Sequence, residues 1–253
     1  MYFDTHAHYD DERFDEDRDA ILSGMAEEGV SLIVNAGSSM ASTRKAREIA
    51  EKYPFVYFSA GVHPHDSKEM TEESFTELEE ISRHPKCVAI GEIGLDYHYD
   101  LSPRDVQILR FRQQMELAEK VRLPVIIHER EACAPVLEIV KSFPGLKGVY
   151  HCFSGSWETA REILDMGWYL SFTGVITFKN ARRPLEVIEK MPLDRIMIET
   201  DSPYLAPEPV RGRRNDSKNL VHICRRAAEA KGITPEQMAE ITKENGRRFF
   251  GIQ

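Results

Sequence analysis

Eight short apolar runs alternate with longer stretches of helical periodicity from one end of the chain to the other. They lie at 2–5 (YFDT), 31–35 (SLIVN), 55–60 (FVYFSA), 87–91 (CVAIG), 124–127 (PVII), 147–150 (KGVY), 168–172 (WYLSF) and 195–199 (RIMIE). They are short and do not alternate strictly, as expected of strands buried on both faces of a parallel sheet. Strands that alternate with helices call for parallel pairing and right-handed crossovers, and closing the sheet on itself leaves no exposed edge. The expected fold is therefore α/β, a TIM-like (β/α)8 barrel; an open doubly wound sheet is the alternative. A length of 253 residues suits one such barrel. No linker, repeat or low-complexity tract interrupts 1–253, so a single domain is expected.

The clearest helix follows Ser102, a plausible N-cap with Pro103 at N1 and Asp105 at the positive end of the helix dipole. Ile108, Phe111, Met115 and Ala118 recur at helical spacing and mark its buried face. After the last run comes a Pro/Arg-rich loop, 203–216, and then two extra C-terminal helices. The final helix starts at Thr234, with Pro235 and Gln237 in capping-box positions.

A barrel of this kind carries its chemistry at the C-terminal ends of its strands, and polar residues fall there repeatedly. The first run leads into Asp4-Thr5-His6-Ala7-His8, and alternate residues of an extended segment point the same way, so His6 and His8 face one side. Glu92 follows the fourth run between glycines, His128 ends the fifth, His151 the sixth and Asp201 the eighth. Any one of these would suit a satisfied polar residue at a strand end. Four histidines and two carboxylates in register point instead to metal ligation. Six N/O donors exceed the needs of one tetrahedral ion and suit two divalent cations. Glu92 can bridge them. Asp201 can bind metal and accept the proton of the attacking water. Cys152, on the opposite side of the strand from His151, reads as core.

With these residues in place, "DTHAH", "GVHPH", "GEIGLDY", "PVIIHER", "HCFSG" and "ETDSPYLAP" appear in the order of the TatD family of metal-dependent hydrolases, which the whole chain resembles. The resemblance implies the same six ligands: His6, His8, Glu92, His128, His151 and Asp201. It also implies nuclease activity on DNA, often exonucleolytic, and for some members activity on D-aminoacyl-tRNA esters. The wider amidohydrolase-like superfamily often bridges its metals with a carboxylated lysine; Glu92 in that place fits the TatD branch.

Substrate contacts are expected from His63 and His65 after the third run, from Asp96 and Tyr97 beyond Glu92, and from Arg211, Arg213 and Arg214 after the eighth strand, with Lys218 nearby. Guanidinium groups suit phosphate. Glu199 would orient ligands from below. His84, His98 and His222 have no partner pattern.

Lys and Arg number 33 against 42 Asp and Glu, a formal charge of -9. That surface offers nucleic acid no general attraction, so a phosphate-bearing substrate needs a local positive field. It argues for short or single-stranded ends over long duplexes. Four cysteines without a C-x-x-C pair suit a reducing compartment. The N-terminus has no basic n-region or apolar h-region, and no run approaches membrane-spanning length. A cytoplasmic protein, with no membrane association and no obligate protein partner, is expected.

The leading expectation is two-metal hydrolysis of DNA phosphodiesters, 3′–5′ exonuclease-like. Zn, Mn, Ni, Co or Fe suit the donors, and Mg remains possible for activity. The rivals are a D-aminoacyl-tRNA deacylase or esterase and a small-molecule amidase or lactonase. A non-catalytic binding module is disfavoured by intact ligands at every position.

Overall fold

The computed structural model describes residues 1–253. Its strands are β1 (Tyr2–Ala7), β2 (Val30–Ala36), β3 (Val56–Ala60), β4 (Cys87–Asp96), β5 (Val125–Arg130), β6 (Gly148–Tyr150), β7 (Tyr169–Phe172) and β8 (Ile196–Ile198). They form one eight-stranded sheet in chain order. The helices are α1 (Arg18–Ser23), α2 (Met40–Lys52), α3 (Glu72–Ser82), α4 (Arg104–Val121), α5 (Cys133–Lys141), α6 (Trp157–Asp165), α7 (Arg182–Lys190), α8 (Leu220–Lys231) and α9 (Pro235–Phe250). A helix follows every strand, and the fold is the (β/α)8 barrel with its added C-terminal helix. No helix is long and apolar enough to cross a membrane.

Internal contacts concentrate in two units, Ala36–His151 and the pair of segments Met1–Asn35 and Cys152–Gln253. In the second, β1 pairs in parallel with β2 and β7 with β8. Backbone bonds beyond the strand ends tie β1 to the β8 exit: Asp201 N donates to His6 O (2.9 Å) and His8 N to Ser202 O (2.6 Å). α9 packs on β1 and β8, with Phe3 and Phe250 ring centroids 5.9 Å apart. Its N-terminus carries the expected capping box, Thr234 with Gln237.

In Ala36–His151, β3 to β6 pair in sequence. Here the structure departs from the sequence expectation at two strand ends. β4 and β5 run past their apolar cores, pairing Gly94 with His128, Leu95 with Glu129 and Asp96 with Arg130. The ladder needs only backbone groups, so it continues where apolar side chains stop.

The start of α4 is a second correction. Its N-cap is Pro103, which offers no side-chain cap. The Ser102 hydroxyl donates instead to His65 O (2.7 Å). The buried face of the helix includes Phe111, Met115 and Ala118 as expected, but also Gln107 and Gln114. Gln114 pairs with both backbone groups of Val62, at 2.8 and 3.0 Å. Gln107 does the same for Asp96, at 2.9 and 3.2 Å.

Candidate metal centre

In the unit that contains β1 and β8, the donors His6, His8 and Asp201 converge. His6 Nε2 and His8 Nε2 are 3.1 Å apart. Asp201 Oδ1 is 3.4 Å from His8 Nε2 and 3.6 Å from His6 Nε2. Asp201 has a left-handed backbone, φ 55°, which aspartate tolerates better than most residues. It bends the chain out of β8 directly at the histidine pair. Asp4 lies behind this pair, fully buried. It accepts from the Thr200 hydroxyl (2.5 Å), Thr200 N (2.9 Å) and the Ser217 hydroxyl (2.6 Å). Glu199 is buried, and its Oε1 accepts from Cys152 N at 2.6 Å. Cys152 is half-buried with φ 47°, and its thiol meets the Thr173 hydroxyl at 3.4 Å. It belongs to a polar turn rather than to the apolar core expected.

The Ala36–His151 unit holds Glu92, His128 and His151. Glu92 Oε1 is 2.8 Å from His128 Nδ1 and 2.9 Å from His151 Nε2. His63 Nε2 approaches the same oxygen at 3.4 Å. The close approach of β4 to β5 requires glycine at position 94. A Cβ there would stand 1.9 Å from His128 O, and φ is 147°. Behind the group, His128 Nε2 reaches Asp96 Oδ2 at 3.0 Å. A carboxylate on the far nitrogen of a ligand imidazole fixes its ring and tautomer.

The electrostatics follow from this packing. Burial alone would raise the Glu92 carboxyl, but the imidazoles of His151 and His63 and hydrogen bonds from His128 and His151 hold it well below the usual carboxylate range. Burial lowers His63, reinforced by His128 beside it. Burial would lower His128 too, yet the Asp96 and Glu92 carboxylates raise it above its ordinary value. A raised imidazole is protonated, and unable to ligate, up to a higher pH. As the pH is lowered, metal occupancy measured by equilibrium dialysis should therefore begin to fall before pH 6.5, the unperturbed imidazole value, is reached. Occupancy constant down to pH 5 would contradict this.

The residues expected to meet substrate are placed less uniformly. His63 is buried and His65 partly exposed, with their ring centroids 4.2 Å apart. Asp96 is buried, and its carboxylate faces inward to His128 and His65 and to the amides of His98 and Tyr99. The even spacing of Glu92, Gly94 and Asp96 along β4 is the sequence signal for this shared side. Tyr97 is half-buried beneath the Arg104 guanidinium, 4.2 Å from the ring centroid. Arg211 is exposed and stacks on Phe178 at 4.2 Å. Arg213 is exposed. Arg214 is committed to structure: it grips Asp17 through two bonds of 2.9 and 2.6 Å and lies over Phe14.

Mixed imidazole nitrogen and carboxylate oxygen donors, converging at strand ends, fit divalent transition ions. One donor atom each from His63, Glu92 and His128 lies within 4.8 Å of the other two.

Comparison with known proteins agrees with this chemistry. The family model for TatD related DNase matches residues 3–251. The chain is 46% identical over 254 residues, covering 100% of both proteins, to the uncharacterized metal-dependent hydrolase YabD of Bacillus subtilis. It is 34% identical over 261 residues, 99% of each protein, to the 3′-5′ ssDNA/RNA exonuclease TatD of Citrobacter koseri. Among solved structures, a TatD homologue from Escherichia coli K12 superposes with a TM-score of 0.93 at 28% identity, covering 100% of this chain and 98% of that one. The chain belongs to the TatD family of metal-dependent hydrolases.

Proposed function

We propose that the chain hydrolyses phosphodiester bonds of nucleic acid, with single-stranded DNA and its 3′ ends as substrate. In this reading His6, His8, Glu92, His128, His151 and Asp201 hold two divalent cations within a single catalytic domain. The observation that carries it is the convergence of imidazole and carboxylate donors at the strand ends, in a chain 34% identical to a protein named 3′-5′ ssDNA/RNA exonuclease. Bound cations supply Lewis acidity toward the phosphate and a water acidic enough to give hydroxide near neutral pH.

The chain's own groups do the rest. Glu92, held ionised, would supply negative charge to hold the cations. Asp201 Oδ1, beside His6 and His8, takes the proton of the attacking water. Asp96 keeps the His128 ring turned toward Glu92. His63 and His65 line the approach of the substrate phosphate. Arg211 and Arg213, exposed on the loop after β8, and Tyr97 are further contacts of the phosphate in this reading.

The test is one metal-reconstituted preparation assayed in parallel on single-stranded DNA, D-aminoacyl-tRNA and a lactone panel. Cleavage of DNA at a kcat/KM well above the others is expected; turnover confined to either of the others overturns the nuclease reading. The double variant Arg211→Ala/Arg213→Ala should raise KM for single-stranded DNA with little change in kcat. It should also reduce the salt slope, by about 0.7 for each phosphate no longer neutralised. Arg214→Ala, which breaks structural contacts to Asp17, the Arg13 carbonyl and the Phe14 ring, should leave KM and the salt slope as in the wild type. Unchanged KM and slope in the double variant would make this loop a plain solvated surface.

A further inference from the structure

The Ala36–His151 unit contains a second histidine pair with its own carboxylate. His63-Pro64-His65 follows β3 with the same spacing as His6-Ala7-His8, and Asp96 closes β4 beyond Glu92. His65 Nε2 is 3.0 Å from Asp96 Oδ2. One donor atom from each of His63, His65 and Asp96 lies within 4.8 Å of the other two.

The atoms available for ligation are defined by what the others are doing. His63 Nδ1 accepts from the His65 backbone amide at 3.2 Å, so Nε2 is the atom directed at the carboxylates. Asp96 Oδ1 takes the amides of His98 and Tyr99 at 3.0 and 2.8 Å, so Oδ2 is the atom facing the imidazoles.

The supports are rigid. His63 caps the 3-10 turn Pro64–Glu69, and the Ser102 hydroxyl holds His65 O. Asp96 is fully buried, whereas the His65 side chain is 28% exposed, which gives the cluster an open side. The 3.0 Å between His65 Nε2 and Asp96 Oδ2 matches two adjacent positions on an octahedral ion with bonds of about 2.1 Å. Two imidazoles and one carboxylate leave the remaining positions of such an ion to water or a substrate oxygen.

We propose that His63, His65 and Asp96 hold a further divalent transition-metal cation, additional to those assigned to the six strand-end ligands. It rests on the proposed function only for the anion it meets, a substrate phosphate. Its charge answers a need of this molecule. The net charge is -9 and Arg214 is tied to Asp17, so a bound cation would add to the positive potential that Arg211 and Arg213 offer an anionic substrate. His63 and His65 then act on the phosphate through an ion rather than by direct hydrogen bonds.

The experiment is equilibrium dialysis against Mn2+, with ions per chain counted by mass spectrometry, on wild type, His65→Ala, His65→Gln and His98→Ala. Thermal melting of each metal-free variant checks folding. The wild type should bind one more ion per chain than either His65 variant, and that ion should be the weakest of the isotherm. The His98→Ala variant, whose side chain pairs with exposed Glu131, should match the wild type. Folded His65 variants that bind as many ions as the wild type overturn this assignment alone. A wild type that binds no Mn2+ overturns it together with the proposed hydrolytic centre.

Discussion

Replacing Glu92 with glutamine should cost the chain nearly all of its hydrolytic activity while leaving it folded. The carboxylate is almost completely buried, yet its oxygen is met by three imidazoles at 2.8, 2.9 and 3.4 Å. Those neighbours hold it ionised against the burial penalty. An amide has the same shape but no negative charge to hold a cation. Metal chemistry of this kind is worth several kcal/mol of transition-state stabilisation, so kcat/KM should fall by about 10³-fold or more. Metal content should drop in parallel. Melting of the metal-free variant should fall below that of the metal-free wild type while remaining cooperative, because a carboxyl held below its usual range stabilises the fold at neutral pH. A Glu92→Gln enzyme with full metal and activity within tenfold of wild type would show that the reaction does not pass through this carboxylate.

The largest loss of stability is expected at a residue that touches no substrate. Asp4→Ala removes the acceptor for the Thr200 amide and hydroxyl and for the Ser217 hydroxyl, all buried. Each donor left unsatisfied costs about 1–3 kcal/mol, not additively. A total of about 3–5 kcal/mol is therefore reasonable, and Tm should fall by roughly 10 °C for a chain of this size. Glu48→Ala, on the exposed side of α2, should change stability by less than about 0.5 kcal/mol.

Asp4 also gives stability a pH dependence of known sign. Burial pushes its carboxyl up to about 7 from an ordinary 3.8. The folded state thus keeps a proton that the unfolded state releases near its ordinary value. Stability from this group is full below 3.8 and is lost as the pH rises through about 7. Asp4→Ala should flatten that slope, as denaturant melts at about pH 5 and about pH 7.5 can show. An unchanged slope would place the dependence elsewhere.

How much of this is legible in the sequence differs between backbone and side chains. All eight strands lie where apolar runs mark them, because burial on both faces leaves a signal that needs no partner to read. β4 and β5 extend beyond their runs at the C-terminal ends, where Gly94 to Asp96 and His128 to Arg130 stay in the ladder after apolar side chains give way to polar ones. The six expected ligands fall into two local groups, His6 with His8 and Asp201, and Glu92 with His128 and His151. Position along a strand is enough to expect that convergence. The roles of Arg214 and Ser102 are not legible in this way, and the even spacing of Glu92 and Asp96 along β4 gives the side of Asp96 but not its partner. Each depends on a partner distant in sequence: His128 for Asp96, Asp17 for Arg214, His65 for Ser102. A charged residue near a strand end looks the same whether it faces solvent or turns inward.

The paired glutamines of α4 bear on what it would take to transplant this centre. Gln114 grips the residue just before His63, and Gln107 grips Asp96 itself. An outer helix thereby acts as a jig that sets the spacing between the loop after β3 and the end of β4. Copying only the strand-end donors onto another barrel would copy the parts and leave out the tool that aligns them. A graft lacking amides at these two helix positions should bind its ions loosely, and adding both glutamines back should tighten it more than any further change at the donors.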